Sequence, residues 1–327
     1  MNVNATVFRY YINVFFVCVF SSRGHSGSKT KAFREEYSKL AELRAFVPTR
    51  VPLVALTATA TAKVKKFVID NLNMVNYHQI SETPNRPNIK LNVVHVPQHK
   101  PFNDPESLEW LFKRLNNMQT TMPRIIIYCR THVQCHSLFA IFDQQVDNSE
   151  LYAMYHGSTV PSVQEKVARD FEDPNGKIRL LFATIAFGMG VDVKGVHTIF
   201  HMGVPQDIDD YVQESGRAGR DGKPSFSVII TYPAMYAGTK TETRMKDFVK
   251  NQSECRRKLV LREFNADEET MSHQELSHQC CDRCASRCQC GSDSHYIEGE
   301  VDIMPNFVST RNEENFFNRR QVSADTR

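Results

Sequence analysis

A chain of 327 residues has room for about two domains, each able to bury its own core, and its 41% hydrophobic content fits a soluble globular protein. A formal charge of +3 permits nucleic-acid binding without arguing for it, since such binding depends on a clustered basic patch more than on the total. The nine cysteines do not describe a secreted disulfide framework: Cys255, Cys280, Cys281, Cys284, Cys288 and Cys290 crowd into one late segment, which favours a metal in a reducing compartment.

Residues 7–20, VFRYYINVFFVCVF, form the most apolar run of the chain and are too short to span a bilayer. As a signal peptide the run would carry Arg9 inside its apolar stretch and lack a clear small-residue cleavage site. The alternatives are an aromatic strand or foreign sequence joined by a faulty gene model, and the faulty join is preferred. Residues 52–60, PLVALTATA, read as a strand running into a threonine and alanine turn, with Thr61 placed to cap a helix over 62–72. Residues 81–96 read as a turn and an edge-type strand crossing toward a second domain, and 98–105 as a linker. Residues 107–116 are amphipathic, with Leu108, Leu111, Phe112 and Leu115 on one face and Trp110 nearby.

From here strands and helices alternate. RIIIYC (124–129) is a buried strand before a helix over 132–142, and Arg130 and Thr131 between them, at the strand's carboxyl end, read locally as a surface loop. Residues 151–156 form a strand ending in His156, a satisfied turn histidine or a ligand contact, ahead of a helix over 161–171 that Pro161 opens. The apolar run 178–183 stops at Thr184, as a buried parallel strand does when it delivers a loop to the sheet's carboxyl edge. Gly188 and Gly190 flank Met189 and let the backbone approach a phosphate or a strand; Asp192 follows as a fixed negative charge. After a strand over 197–203 and a helix over 205–213, the chain breaks at Gly216 into a loop bearing Arg217 and Arg220 between glycines. Two guanidiniums on such a turn suit a phosphate, because each offers a planar fork of donors. A strand over 225–232 completes a doubly wound parallel sheet whose loops gather at one edge, where a ligand should lie. Helices follow over 241–251 and from Cys255 onward, and the polar residues 292–327 read as a disordered tail.

The strings TIAFGMGVDV (184–193) and QESGRAGRDG (213–222) resemble motifs V and VI of the RecQ family of superfamily 2 DNA helicases. PLVALTATA resembles the family's motif III, RIIIYCRT its motif IV, and GHSGSKTKAFREEYSKLAELRAF the segment after its DExH box, with Arg23 where tryptophan is usual. The resemblance implies an α/β fold with one complete RecA-like lobe (98–248), a remnant of a first RecA-like lobe (24–97) and a helical zinc-binding module (249–291), after an atypical N-terminus (1–23). It implies a 3′ to 5′ ATP-dependent DNA helicase of replication, recombination and repair, acting in the nucleus on single-stranded or 3′-overhang DNA, beside repair proteins and away from membranes. Arg220 would be the arginine finger for the γ-phosphate, with Arg217 and Gln213; Gly188, Gly190, Asp192, Thr57 and Thr59 would couple ATP to lobe movement, together with Thr61. Arg130, Thr131, His156 and Thr184 would meet DNA, with Arg86 and Asn88 as a further family-like pair. The zinc ligands would be Cys255, His278, Cys281 and Cys284; His278 stands where cysteine is more usual, so Cys280 and Cys288 remain substitutes. ATP with Mg²⁺ would need a P-loop lysine and DExH carboxylates, and neither string occurs in this sequence. The chain alone is therefore expected not to hydrolyse ATP, and the alternatives are a non-catalytic module for single-stranded nucleic acid or a zinc-stabilised scaffold.

Overall fold

Two short strands lead the chain: β1 (Phe15–Cys18) pairs in parallel with β2 (Leu53–Leu56), Phe15 opposite Leu53. The computed structural model describes residues 15–18, 42, 51–57, 61–96, 105–188, 192–237, 240–265 and 278–289. Thr61 caps α1 (Ala62–Asn71) as expected, its hydroxyl accepting from Val64 N at 3.4 Å. Thereafter come β3 (Ile89–His95), α2 (Pro105–Met118), β4 (Arg124–Cys129), α3 (His132–Gln145), β5 (Tyr152–Tyr155) and α4 (Pro161–Glu172). Then follow β6 (Leu180–Ala183), β7 (Val196–Met202), α5 (Ile208–Ser215), β8 (Ser225–Thr231) and the short α6 (Pro233–Tyr236). The chain continues through α7 (Thr243–Lys250), α8 (Arg256–Glu263) and α9 (Asp282–Ala285).

Six strands form one parallel sheet in the order β3-β8-β7-β4-β6-β5. Their side chains alternate between two cores. Leu91, Ile126, Leu181, Ile199 and Ile229 meet α4, α5, α7 and α8 on one face. Ile125, Ile127, Phe182, Phe200 and Val228 meet α2 and α3 on the other. A strand covered on both faces must be apolar throughout, which is why RIIIYC and SFSVIIT are buried at every position. On α2 the stripe Leu108, Leu111, Phe112 and Leu115 is buried, as the periodicity requires.

Two expectations shift. Residues 89–95, grouped with the first lobe from sequence, hydrogen-bond into the six-stranded sheet through β8, with Ile89 opposite Ser225. The helix expected from 205 starts at Ile208, because the Asp207 carboxylate accepts from Asp210 N at 2.8 Å and caps it. Arg124 opens a buried strand yet is only 2% exposed. Its guanidinium satisfies the carbonyls of Asp170, Phe171 and Asp173 at the end of α4, as well as Lys194 O. The expected linker 98–105 lies almost wholly outside the described residues, as do most of 1–23 and all of the tail 292–327.

Candidate functional site

The carboxyl ends of β4, β6 and β7 open onto a cleft of about 310 Å³ lined by Tyr128, Arg130, His132, Gly157, Thr184 and Glu214, among others. Such an edge is where ligands bind in doubly wound sheets, since the loops there are free of sheet hydrogen bonding. Arg130 is exposed, but Nη1 is anchored on Val204 O at 2.7 Å and Thr241 Oγ1 at 3.0 Å. Gln134 supports it from α3, its Oε1 accepting from Arg130 N at 2.9 Å while its Nε2 donates to Met202 O at 3.1 Å. Thr131 is exposed and spends its hydroxyl on the α3 cap, accepting from Gln134 N at 3.1 Å. Thr184 is 7% exposed and directs its backbone N–H to Tyr155 O at 3.1 Å. On the cleft floor His201 Nε2 lies 3.2 Å from Glu214 Oε2, and burial pushes the Tyr128 hydroxyl's pKa up.

The arginine loop after α5 is held from outside the sequence motif that contains it. Arg86 donates through Nη1 to Gly216 O at 3.1 Å and through Nη2 to Ala218 O at 3.2 Å and Gly219 O at 2.7 Å. Asn88 Nδ2 donates to Gly219 O at 2.8 Å and Lys223 O at 2.9 Å. With Gly219 at φ +56, the clamp sends the two arginines to different places. Arg217 turns inward, 4% exposed, against the Tyr128 hydroxyl. Arg220 turns outward, 39% exposed, with Nη1 on Asp192 Oδ1 at 2.5 Å. Of the two guanidiniums, Arg217 is thus buried and Arg220 reaches the surface. Gln213 is half-buried on α5, and Gly188 ends a single 3₁₀ turn over Ile185–Gly188. Gly190 and Thr59 lie outside the described residues, and Thr57 is exposed after β2.

Thr61 reaches the six-stranded domain. Its N and Oγ1 donate to the two carboxylate oxygens of Asp209 at 3.2 and 3.1 Å. Lys63 Nζ adds an exposed pair with Glu242 at 2.7 Å. Burial first, and then the nearby Asp207, push the Asp209 carboxyl up to about 6, against the two Thr61 bonds. An unfolded carboxyl of this type titrates near 3.8. The folded state thus holds the extra proton between those values, and Asp209 makes stability fall as pH rises from about 4 through about 6. A difference of this size is worth on the order of 2–3 kcal/mol. In urea titrations across that range, Asp209→Asn should flatten the wild-type slope; parallel slopes would show that the carboxyl is not strained.

Four sulfurs converge at the start of α8, one from its N-cap residue Cys255 and three from α9 and the turn that leads into it. The Sγ atoms of Cys255, Cys280, Cys281 and Cys284 all lie within 4.8 Å of one another. Zinc at about 2.3 Å from each of four thiolates would set them about 3.8 Å apart, so this donor set fits a closed tetrahedral site. Hydrogen bonds from the neighbouring thiols and from Cys284 N draw the Cys281 pKa down, as a thiolate ligand needs. His278, expected as a ligand, is not in the group; its Nδ1 sits 3.7 Å from Cys288 Sγ instead. Cys280 takes its place because Leu91 N donates to Cys280 O at 3.2 Å and Leu91 bridges to Cys281, which seats the cysteine turn on the edge of β3. Arg256, 0% exposed, forks onto Asp282 at 2.5 and 2.9 Å and thereby ties α8 to α9. Arg257 donates to Arg86 O at 2.8 Å, so the cysteine cluster and the arginine clamp share one support. Among the described residues the cysteines are free of disulfides, which leaves these four available to a metal.

Comparison with known proteins bears on this geometry directly. Residues 106–222 match the helicase conserved C-terminal domain. The chain is 31% identical over 271 residues to the ATP-dependent helicase SGS1 of Saccharomyces cerevisiae, covering 77% of this chain and 18% of that protein. It is 30% identical over 269 residues to the ATP-dependent DNA helicase RecQ of Haemophilus influenzae, covering 77% of this chain and 40% of that one. The RecQ-like DNA helicase blm-1 of Caenorhabditis elegans is 28% identical over 272 residues, 77% of this chain and 26% of that one. The chain belongs to the RecQ family of helicases. It spans less than half the length of each of these relatives. In fold it is similar to S. cerevisiae Dbp5 bound to RNA and ADP BeF3, with a TM-score of 0.53 and 15% identity, over 76% of this chain and 57% of that chain. Among the described residues no helix is long and apolar enough to cross a membrane.

Within this RecQ-family lobe, sequence reading passed over Asp209, Gln134 and His132. Asp209 had a signal, a carboxylate in the acidic first turn IDD of α5. Gln134 had none, because its value lies in bonds to Arg130 and to β7, which is distant in sequence.

Proposed function

We propose that this chain supplies the second motor lobe and the zinc module of a RecQ-type, ATP-dependent 3′ to 5′ DNA helicase acting in the nucleus. The observation that carries the proposal is the clamped loop, in which Arg86 and Asn88 fix the backbone and Asp192 steers an exposed Arg220. A guanidinium preorganised in this way can stabilise charge on a transferring phosphoryl group without reorganising. ATP hydrolysis would supply the free energy for translocation. This chain's own parts would contribute Arg220, the Thr61–Asp209 contact as a link between nucleotide state and lobe movement, and Arg130 and Thr184 at the cleft as holds on the DNA backbone. Cys255, Cys280, Cys281 and Cys284 would hold zinc as a structural ion, since four protein ligands leave no open position for chemistry.

The sequence contains neither P-loop lysine nor DExH carboxylates to hold Mg²⁺, so this polypeptide by itself is expected to bind single-stranded DNA and to leave ATP intact. Fluorescence anisotropy with a labelled oligonucleotide should show affinity falling steeply with salt, and Arg130→Ala should reduce the slope by about 0.7 for the lost phosphate contact. Magnesium-dependent ATP turnover by the purified chain, or binding indifferent to salt, would count against the proposal.

A further inference from the structure

Three imidazoles that neither the arginine loop nor the cysteine cluster uses lie together beside the cleft. His156 is 5% exposed and held at every backbone atom that can bond. Its N donates to Thr159 Oγ1 at 2.9 Å, and its carbonyl accepts from Thr159 N at 3.0 Å and Gln164 Nε2 at 3.1 Å. Ser158 N donates to Nδ1 at 3.2 Å, which places the proton of the neutral ring on Nε2. That Nε2 is buried without a hydrogen-bond partner among the described residues. Burial, with His132 and His136 close by, holds the His156 pKa below its ordinary value, so the ring is uncharged at neutral pH. A metal would require this nitrogen to lose its only proton, and the cysteine group is the one set of metal-ligating side chains drawn together among the described residues.

What the fixed ring does carry is another ring. His132, the first residue of α3, stacks on it with centroids 4.6 Å apart and planes inclined by 22°. His136, one turn on, leans against the same ring at 5.1 Å and 50°. His132 and His136 are both exposed, and His132 lines the cleft. Beside them Gly157 has nothing within 4 Å of the place where a side chain would stand. A volume of about 310 Å³ is at the lower end of the roughly 300–1,000 Å³ typical of small-molecule pockets, and it is enough for a flat group next to the stack.

We propose that His132, backed by the immobile ring of His156, is a stacking platform for one unpaired nucleobase of a bound single strand, with Arg130 beside the adjoining phosphate. The inference rests on the reading of this lobe as a holder of single-stranded DNA and names the part of the strand that the cleft takes. Because every base presents a π-face, the platform reads single-strandedness and no particular sequence. A ring already fixed in place loses little freedom when a base settles on its neighbour, which separates this site from a lone surface histidine.

The test compares two labelled strands of about 16 nucleotides, oligothymidylate and a strand of the same length made of abasic sugars, against the 327-residue chain. His132→Ala should weaken oligothymidylate binding about tenfold, the size of one base-stacking contact, and leave the abasic strand unaffected. His132→Phe should bind both strands as the wild type does. Equal wild-type and His132→Ala affinities for oligothymidylate would overturn the platform while leaving the DNA-holding reading intact. Equal losses on both strands, or a loss with His132→Phe matching that with His132→Ala, would also overturn it by pointing to a backbone contact. Failure of the wild-type chain to bind either strand would overturn the platform and the DNA-holding reading together.

Discussion

Cys281→Ser is expected to release bound zinc and to unfold the cysteine turn from the edge of β3. Cys281 is one of the four converging cysteines, accepts from Cys284 N at 3.4 Å and bridges in parallel to Leu91. The segment from α8 to α9 has only part of the core to itself; its buried apolar side chains pack on Tyr211, Phe248 and the sheet. Metal binding therefore serves as folding free energy, and structural zinc is worth on the order of 10–16 kcal/mol apparent in small modules. Serine is a poor substitute for a thiolate, so the variant should hold well under one zinc per chain and melt at a markedly lower temperature. Wild-type protein treated with a chelator should fall to the same melting temperature. His278→Ala and Cys288→Ser should keep one zinc, because neither side chain belongs to the converging group. A zinc assay finding full occupancy in Cys281→Ser, or loss in His278→Ala, would reassign the ligands.

The second large effect is expected at Gly219. Its φ of +56 lies where an alanine is strained, and a Cβ there would stand 2.4 Å from Asn88 Nδ2 and 2.5 Å from Ser225 Oγ. The backbone oxygen of Lys223 is 2.9 Å away and offers no easy relief. Gly219→Ala must therefore displace Asn88 or open the loop, and either change frees the carbonyls that Arg86 and Asn88 now satisfy. Strain and lost bonds together are expected to cost about 3 kcal/mol, a fall of roughly 6–12 °C in Tm for a domain of this size. Gly157→Ala has open space and should leave Tm within about 2 °C, the range of an ordinary surface change. Equal melting temperatures for the two variants would mean that the loop is not clamped as described. Since the clamp also aims Arg220, Gly219→Ala tests the geometry on which the helicase reading rests.

Local features of the chain were sufficient for the elements themselves. RIIIYC became a strand with the bounds its apolar run predicts, α2 buried the stripe its spacing predicts, and Thr61 and Pro161 began helices where their chemistry requires. These outcomes depend on contacts within a few residues, so composition and period are enough to reveal them. The ordered strings around Arg130, Thr184 and Arg220 likewise placed the chain in its family and put the loops of β4, β6 and β7 at one edge. Tertiary structure decided what depends on distant partners. Only the pairing of β3 with β8 brought Arg86 and Asn88 onto the arginine loop, 130 or more residues away, and turned Arg217 inward while Arg220 stayed out. Only docking on Leu91 drew Cys280, and not His278, into the group of converging sulfurs, and only the fold laid His132 on His156. Spacing along a chain constrains neighbours within a turn or a strand, whereas the meeting of side chains far apart in sequence is settled by how sheet, helices and buried charges pack at once.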